Sequence, residues 1–162
     1  MPTTITGTDG VSQVQTGAVE SGDLPAGSVI QVVSDTQVSD VISSSTTYVA
    51  QGLQVSLTPA STTNKIVLIL NNAFDTAGNK IEWTFFRSID GSSDTNIFAN
   101  DDQLNIAQGS TRGVTGTCAI DSPNTTSEVT YKLFFRSGIG GTVEFPSFSD
   151  MHQFLVAMEI AG

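Results

Sequence analysis

Apolar residues recur at every second position along nearly the whole chain, and no long run carries the helical period. Leu53, Val55 and Leu57 alternate with Gln54, Ser56 and Thr58. Ile81, Trp83 and Phe85 alternate with Glu82 and Thr84, and Val129, Tyr131, Leu133 and Phe135 alternate with Thr130, Lys132, Phe134 and Arg136. Successive side chains of a strand point to opposite faces, so each such stretch has one apolar and one more polar face. This pattern confines the chain to an all-β fold.

Strands are expected near 28–33, 38–42, 47–57, 65–71, 80–88, 95–98, 114–120, 128–136, 142–145 and 153–161. The connectors are turn-rich: Asp75-Thr76-Ala77-Gly78-Asn79, Ile89-Asp90-Gly91-Ser92-Ser93-Asp94, Ser122-Pro123-Asn124 and Gly138-Ile139-Gly140-Gly141. Glycine supplies positive φ, while Asp and Asn close turns with their side chains. Short strands at this spacing predict a single β-sandwich of the jelly-roll type. A short helix fits only at 101–108.

At 162 residues the chain has room for one domain with a proper core. Sixteen acidic against six basic residues give a net charge of −10. Neutralising a phosphate backbone needs the opposite sign, so nucleic acid is not an expected partner. The longest aliphatic run, Ile66 to Leu70, is strand-sized, so no membrane partner is expected. The start Met1-Pro2-Thr3-Thr4 has neither the basic residues nor the apolar run of a signal peptide. A single cysteine, Cys118, leaves no intrachain disulfide, which suits folding in a reducing cytoplasm.

Residues 1–27 differ from the rest. Ile5, Val11, Val14, Val19 and Leu24 are scattered among Thr, Gly, Gln and Ser. A segment this sparse buries little by itself. It reads as an extended arm that orders on a partner, with those five residues as anchors, ahead of a sandwich domain at 28–162. Two strands, Lys65 to Leu70 and Phe154 to Ile160, are apolar on both faces. A sandwich strand normally shows one face to water, so each needs a second cover. For the terminal strand that cover is expected to be another subunit, meeting Phe154, Leu155, Val156, Met158 and Ile160. Phe-Phe-Arg-Ser occurs twice, at 85–88 and 134–137, which predicts two equivalent strands, each with an arginine leaving the core.

No catalytic constellation emerges. His152, the only histidine, sits within a few residues of Ser147, Ser149 and Asp150, without a glycine-flanked nucleophile elbow. Asp90, Asp94, Asp101 and Asp102 have no EF-hand spacing, and turn chemistry explains them. Zinc lacks ligands, with one Cys and one His. Glu82, Glu128, Glu144 and Glu159 could form a glycosidase pair only if the fold brought two together. The chain is therefore expected to be no enzyme and to carry no cofactor and no metal.

Ile5-Thr6-Gly7-Thr8-Asp9-Gly10-Val11-Ser12 and Leu24-Pro25-Ala26-Gly27-Ser28-Val29-Ile30-Gln31-Val32-Val33 resemble the opening of structural proteins of tailed bacteriophages, many from aquatic phages and described as fibre-like. The likeness continues through Leu53-Gln54-Val55-Ser56-Leu57-Thr58-Pro59, Asn64-Lys65-Ile66-Val67 and Phe154-Leu155-Val156-Ala157-Met158-Glu159-Ile160. Members of that group look like trimeric sandwich heads on phage surfaces. The resemblance thus implies a homotrimer at the virion surface, assembled in the host cytoplasm. Only some 27 residues precede the sandwich, which favours a capsid decoration (cement) protein held to the major capsid protein by the arm. The alternative is the receptor-binding head of a short tail fibre, mounted on a tail hub. Its contacts with a host-surface glycan or protein receptor would then come from loops carrying Asp75, Asn79, Asp90, Asp94, Arg112 and Ile139.

Overall fold

The computed structural model describes residues 21–98, 105–109, 112–145 and 152–162. Among them are eleven strands and one short 3₁₀ turn, Ser21–Asp23. The strands are β1 (Val29–Gln37), β2 (Val41–Ser43), β3 (Val49–Leu57), β4 (Lys65–Asp75), β5 (Lys80–Ile89), β6 (Thr95–Asn96), β7 (Asn105–Gln108), β8 (Arg112–Asp121), β9 (Val129–Ser137), β10 (Val143–Phe145) and β11 (Gln153–Ile160). The expected helix at 101–108 is corrected in its second half: Asn105–Gln108 pairs with β5 as a strand. The edge of β5 there offers unpaired backbone groups, and satisfying them outweighs a weak local preference.

All pairings among the described residues are antiparallel, and the choice of partners defines the topology. β1 pairs with β11, β3 with β9, β4 with β8 and β5 with β7. First-half strands thus meet second-half strands in reverse order, as in one long hairpin rolled into two sheets. That is the jelly roll expected from the strand spacing. Sheet A runs β1-β11-β4-β8, with β2 and β10 continuing the edges of β1 and β11. Sheet B runs β3-β9-β5, with β6 and β7 both along the outer edge of β5.

The core is the sum of the inward faces. Leu53, Val55 and Leu57 of β3, with Val129, Tyr131, Leu133 and Phe135 of β9, are buried as their alternation predicts. They meet Ile66, Leu68 and Leu70 of β4 from the opposite sheet. Aromatic rings tie the two layers: Trp83 of sheet B stands 5.6 Å from both Phe74 and Phe145 of sheet A, and Phe135 stacks on Phe145 at 5.5 Å.

The two Phe-Phe-Arg-Ser segments are neighbours in sheet B, but their phases differ by one residue. Trp83 faces Phe135 and Phe85 faces Leu133, so Arg87 shares the inward parity while Arg136 points out. Arg87 reaches across the end of the sandwich to Asp121 of sheet A at 2.7 Å, and the Tyr131 hydroxyl donates to the same carboxylate at 2.8 Å. Burial, reinforced by that carboxylate, pushes the Tyr131 phenol far above its ordinary range. Only Arg136 leaves the core as expected. It binds Glu82 at 2.6 Å and lies 4.4 Å from the centre of the Tyr48 ring.

The registers give the molecule two poles. At the terminal pole, Ile160 aligns with Lys65 and Val29, and Val129 with Leu57 and Ile89. The loops 58–64, 90–94 and 122–128 lie there. Residues 25–28 join them: Gly27 N–H donates to Ala161 C=O at 2.8 Å and Ala161 N–H to Ser28 C=O at 2.9 Å. At the distal pole Asp75 aligns with Arg112, Lys80 with Gln108 and Ile81 with Ser137.

Candidate functional site

Two surfaces stand out, one apolar and one polar. The first is the outward face of sheet A, and its composition follows from strand parity. Leu155 and Ala157 point inward and are fully buried, so Phe154, Val156, Met158 and Ile160 point outward. Leu155, expected at the subunit interface, therefore belongs to the core instead. The remaining four do share one face.

That face extends well beyond β11. Register aligns Val32, Met158, Val67 and Ile120 in a single row across four strands. The next row is Ser34, Val156, Ile69 and Cys118, followed by Thr36, Phe154, Asn71 and Gly116. The edge members Val32 and Ile120 are 56% and 66% exposed, and Cys118, on the same edge strand as Ile120, is exposed as well. No carboxylate, amine or guanidinium occurs in these three rows, although the chain carries a net charge of −10. A contiguous exposed apolar patch rimmed by charge is the mark of an interaction surface. Sequence reasoning found the β11 members but missed Val32 and Ile120, because only the pairing of β1 and β8 with β11 and β4 sets them in one row.

The charged rim lies at the distal end, where Ile42, Glu144, Asp75 and Arg112 form the last outward row. Arg112 binds Asp75 at 2.6 Å. The Ala77 N–H hydrogen bond is the main cause holding the Asp75 carboxyl below its ordinary range, with Arg112 adding to it against partial burial. Glu144 is pushed the other way, by burial first and then by the charges of Asp40 and Asp75. Between the ordinary carboxylate value of 4.5 and the raised folded value, folded Glu144 keeps a proton that the unfolded chain has lost. Stability therefore falls as pH rises through that window. Glu144→Gln is expected to raise stability at neutral pH and to leave it unchanged below pH 4.5, measured by urea unfolding across a pH series.

The second surface is the distal pole itself. The β4–β5 turn has Ala77 and Gly78 at φ 46° and 88°, closed by Asn79 N–H on Thr76 C=O at 2.7 Å. Two successive positive φ values define a tight two-residue turn that favours glycine at its second position. Asn79 Nδ2 donates to Thr142 C=O at 2.9 Å, Gly109 N–H to Asn79 C=O at 3.1 Å, and the Thr76 hydroxyl to Gly109 C=O. A Cβ on Gly141 would fall on the Asn79 carboxamide, so only glycine permits this clasp. Three loops are thereby locked together, with Ile139 60% exposed beside them.

Four of the six loop residues expected to act together, Asp75, Asn79, Arg112 and Ile139, do meet at this pole. Asp90 and Asp94 do not: the antiparallel path carries the β5–β6 turn to the terminal pole. There Asp90 adopts φ 49° in the turn, and Asp94 is bound by Lys132 at 2.7 Å.

Of the expected arm anchors, Leu24 is half-buried and lines a small cavity at the terminal pole with Gly22, Ala60, Ser61, Thr63, Asn64, Ala161 and Gly162. Ile5, Val11, Val14 and Val19 lie outside the described residues.

The glutamates are spread over the fold. Glu82 is buried on the outward side of sheet B between Lys80 and Arg136. Burial raises its carboxyl pKa, but hydrogen bonds from those two bases outweigh it and leave the group below its ordinary range. Glu159 lies at the terminal end of sheet A and Glu144 at the distal end. His152 is exposed just before β11, while Ser147, Ser149 and Asp150 lie outside the described residues, as do Asp101 and Asp102. Among the described residues no three metal-ligating side chains gather, and no helix is long and apolar enough to cross a membrane.

No protein-family model matches the chain, and no curated protein matches it. Solved structures with a similar build include the VP2 subviral particle of infectious bursal disease virus, at 11% identity and TM-score 0.48, over 82% of this chain and 32% of that one. A structure of the Gx strain of the same virus is similar at 10% identity and TM-score 0.40, over 82% and 37% of the two chains. The CBM22-1 xylan-binding domain of Paenibacillus barcinonensis Xyn10C is similar at 9% identity and TM-score 0.36, over 86% and 99%. The chain spans about a third of the length of the two viral chains it resembles.

Proposed function

We propose that the chain is a non-enzymatic virion structural protein, a homotrimeric capsid decoration protein of a tailed phage that stabilises the head through its N-terminal arm. The observation that carries this reading is the uncharged apolar face of sheet A in a molecule of net charge −10. Strongly acidic copies repel one another over most of their surface, and self-association is cheapest where no charge must be desolvated. The likeness of residues 5–12, 24–33 and 154–160 to phage structural proteins supports placing that assembly on a virion. Residues 25–28 are tied to Ala161 at the terminal pole, so the arm departs from the end opposite the clasped distal loops. Anchors such as Ile5, Val11, Val14 and Val19, linked along one arm and repeated in three copies, gain affinity from effective concentration. Preferential binding to the mature shell then stabilises it by linkage.

A second reading, the receptor-binding head of a short tail fibre, is favoured by one feature. The distal pole presents Ile139, Asn79 and the Asp75–Arg112 pair on loops locked by the Asn79 clasp, a pre-ordered platform at the pole opposite residues 25–28. Copy number separates the two. Quantitative mass spectrometry of purified virions is expected to return hundreds of copies per particle. A count in the tens would replace the decoration role with the fibre role.

A further inference from the structure

We propose that the interior of the sandwich holds a site for ordered water, which bridges the Asn72 and Gln153 carboxamides and reaches the Trp83 indole N–H. Asn72, Gln153 and Trp83 are fully buried, and Thr117 nearly so. Yet Asn72 Oδ1 and Nδ2, Gln153 Oε1 and Nε2, Trp83 Nε1 and Thr117 Oγ1 have no hydrogen-bond partner among the described residues.

Register brings these groups to one level of the core. Phe154 aligns with Asn71, so one step on Gln153 stands beside Asn72, and both share the inward parity of Leu155 and Leu70. Gln37 aligns with Gln153 on the other side, and Thr115 with Asn72. These four make a polar row across the inner face of sheet A. The pair Leu155–Leu70 bounds it on one side and the rings of Phe74, Phe145 and Trp83 on the other. Gln51 of sheet B reaches the same level: its backbone carbonyl accepts from Gln37 Nε2 at 3.2 Å, and its own Nε2 donates to Phe145 C=O at 3.5 Å.

The chemistry of the row selects water. A buried donor or acceptor left unmet costs more than an ordinary hydrogen bond contributes, so six such atoms in one core would remove a large share of a domain's stability. Facing each other, the two carboxamides exchange at most one N–H···O bond in each direction. That leaves one N–H on each amide, the indole N–H and the Thr117 hydroxyl. Water donates as well as accepts, and it binds where two to four polar groups converge. An ion suits the place less well, because Gln37, Gln153, Asn72 and Thr115 carry no charge. The pairing also leaves a route to solvent. β10 meets β4 at Asp75 and β11 meets it from Asn71 onward, so residues 72–74 have no strand on that side among the described residues. This notch lies at the level of the amides.

The full, unaltered chain serves for the test. A high-resolution crystal structure is expected to show an ordered oxygen about 2.7–3.2 Å from both carboxamides. The lack of such an oxygen, whether the amides bond each other or are met by other protein groups, overturns the proposal. Solution NMR reads the other end of the site, because Trp83 is the only tryptophan and its indole N–H gives a single resonance. Nuclear and rotating-frame Overhauser cross-peaks of opposite sign are expected between that proton and water, the mark of water held longer than the molecule takes to tumble. Cross-peaks of equal sign, or none, also overturn the proposal, since solvent then only brushes the indole or never reaches it.

Discussion

Met158→Asp is expected to turn the proposed assembly into folded monomers. Met158 lies in the central strand of the apolar face, aligned with Val32 on one side and Val67 on the other, with its side chain outward from the core. In the free subunit the aspartate stays in water, so the fold loses only the half-buried contacts of the thioether and some strand preference, on the order of 1 kcal/mol. In the proposed trimer the same change buries one carboxylate from each copy in a face with no base in its three uncharged rows. Burying an unpaired charge costs several kcal/mol in effective terms, and like charges at close range add to it. Three such penalties exceed what a moderate interface supplies. Sedimentation velocity at micromolar concentration is expected to show the species of one chain's mass, with circular dichroism and urea midpoint close to those of the parent. An unchanged assembly would move the interface off this face. Leu155→Ala makes the informative contrast: three residues earlier and of opposite parity, it empties part of the core, and is expected to cost the fold about 3 kcal/mol.

The largest effect on the fold itself is expected from Glu159→Ala. Glu159 is fully buried beneath the terminal pole and, among the described residues, no base pairs with it. Its carboxylate is held by three neutral donors, two from the β3–β4 loop and one from β1. Ala60 N–H donates to Oε1 at 2.7 Å, Asn64 Nδ2 to the same oxygen at 2.7 Å, and Gln31 Nε2 to Oε2. Asn64 in turn accepts from Gly162 N–H at 3.1 Å, and Gln31 also donates to Thr58 C=O at 2.8 Å. One side chain thus ties β1, β11, the β3–β4 loop and residue 162 into one unit. Alanine leaves its donors unmatched in a buried place, at about 1–3 kcal/mol each. The expected loss is roughly 4 kcal/mol, a large share of the 5–15 kcal/mol that holds a domain together. Glu159→Gln keeps one acceptor oxygen and the same shape, so it is expected to cost less than half as much. Urea unfolding with an unchanged slope checks both values. Equal stability of Glu159→Ala and the parent would mean that water replaces the carboxylate freely at this pole.

The same residue shows where sequence reading stops. Period two was enough to assign β3, β5 and β9, because alternation reports a strand's own geometry and needs no partner. It did not sort β11, whose two faces are both apolar: Leu155 read as an interface residue beside Met158, and only the packing of the two sheets sends it inward. The clasp around Asp75 and Asn79 was legible as a turn, since Gly78 and Asn79 announce it. What that turn meets was not, for Thr142 and Gly109 arrive from strands far along the chain. Asp90 and Asp94 look equivalent to the distal residues because loop chemistry is the same at both poles. One strand, β5, separates the 75–79 turn from the 90–94 turn and so sets them at opposite poles, whereas β7 at 105–108, patterned too weakly to announce itself, is needed to bring Arg112 to the pole of Asp75.

By itself the sequence determined the two-faced strands, the single core and the excess of acidic charge, all of which follow from side-chain chemistry acting within a few residues. The tertiary structure alone decided that Val32 and Ile120 extend the apolar strip of β11 into a face. It alone set Arg87 and Tyr131 on Asp121, and buried Glu159 among amides. Those contacts depend on register between strands distant in sequence, and register is fixed by the whole set of pairings closing together rather than by any local preference.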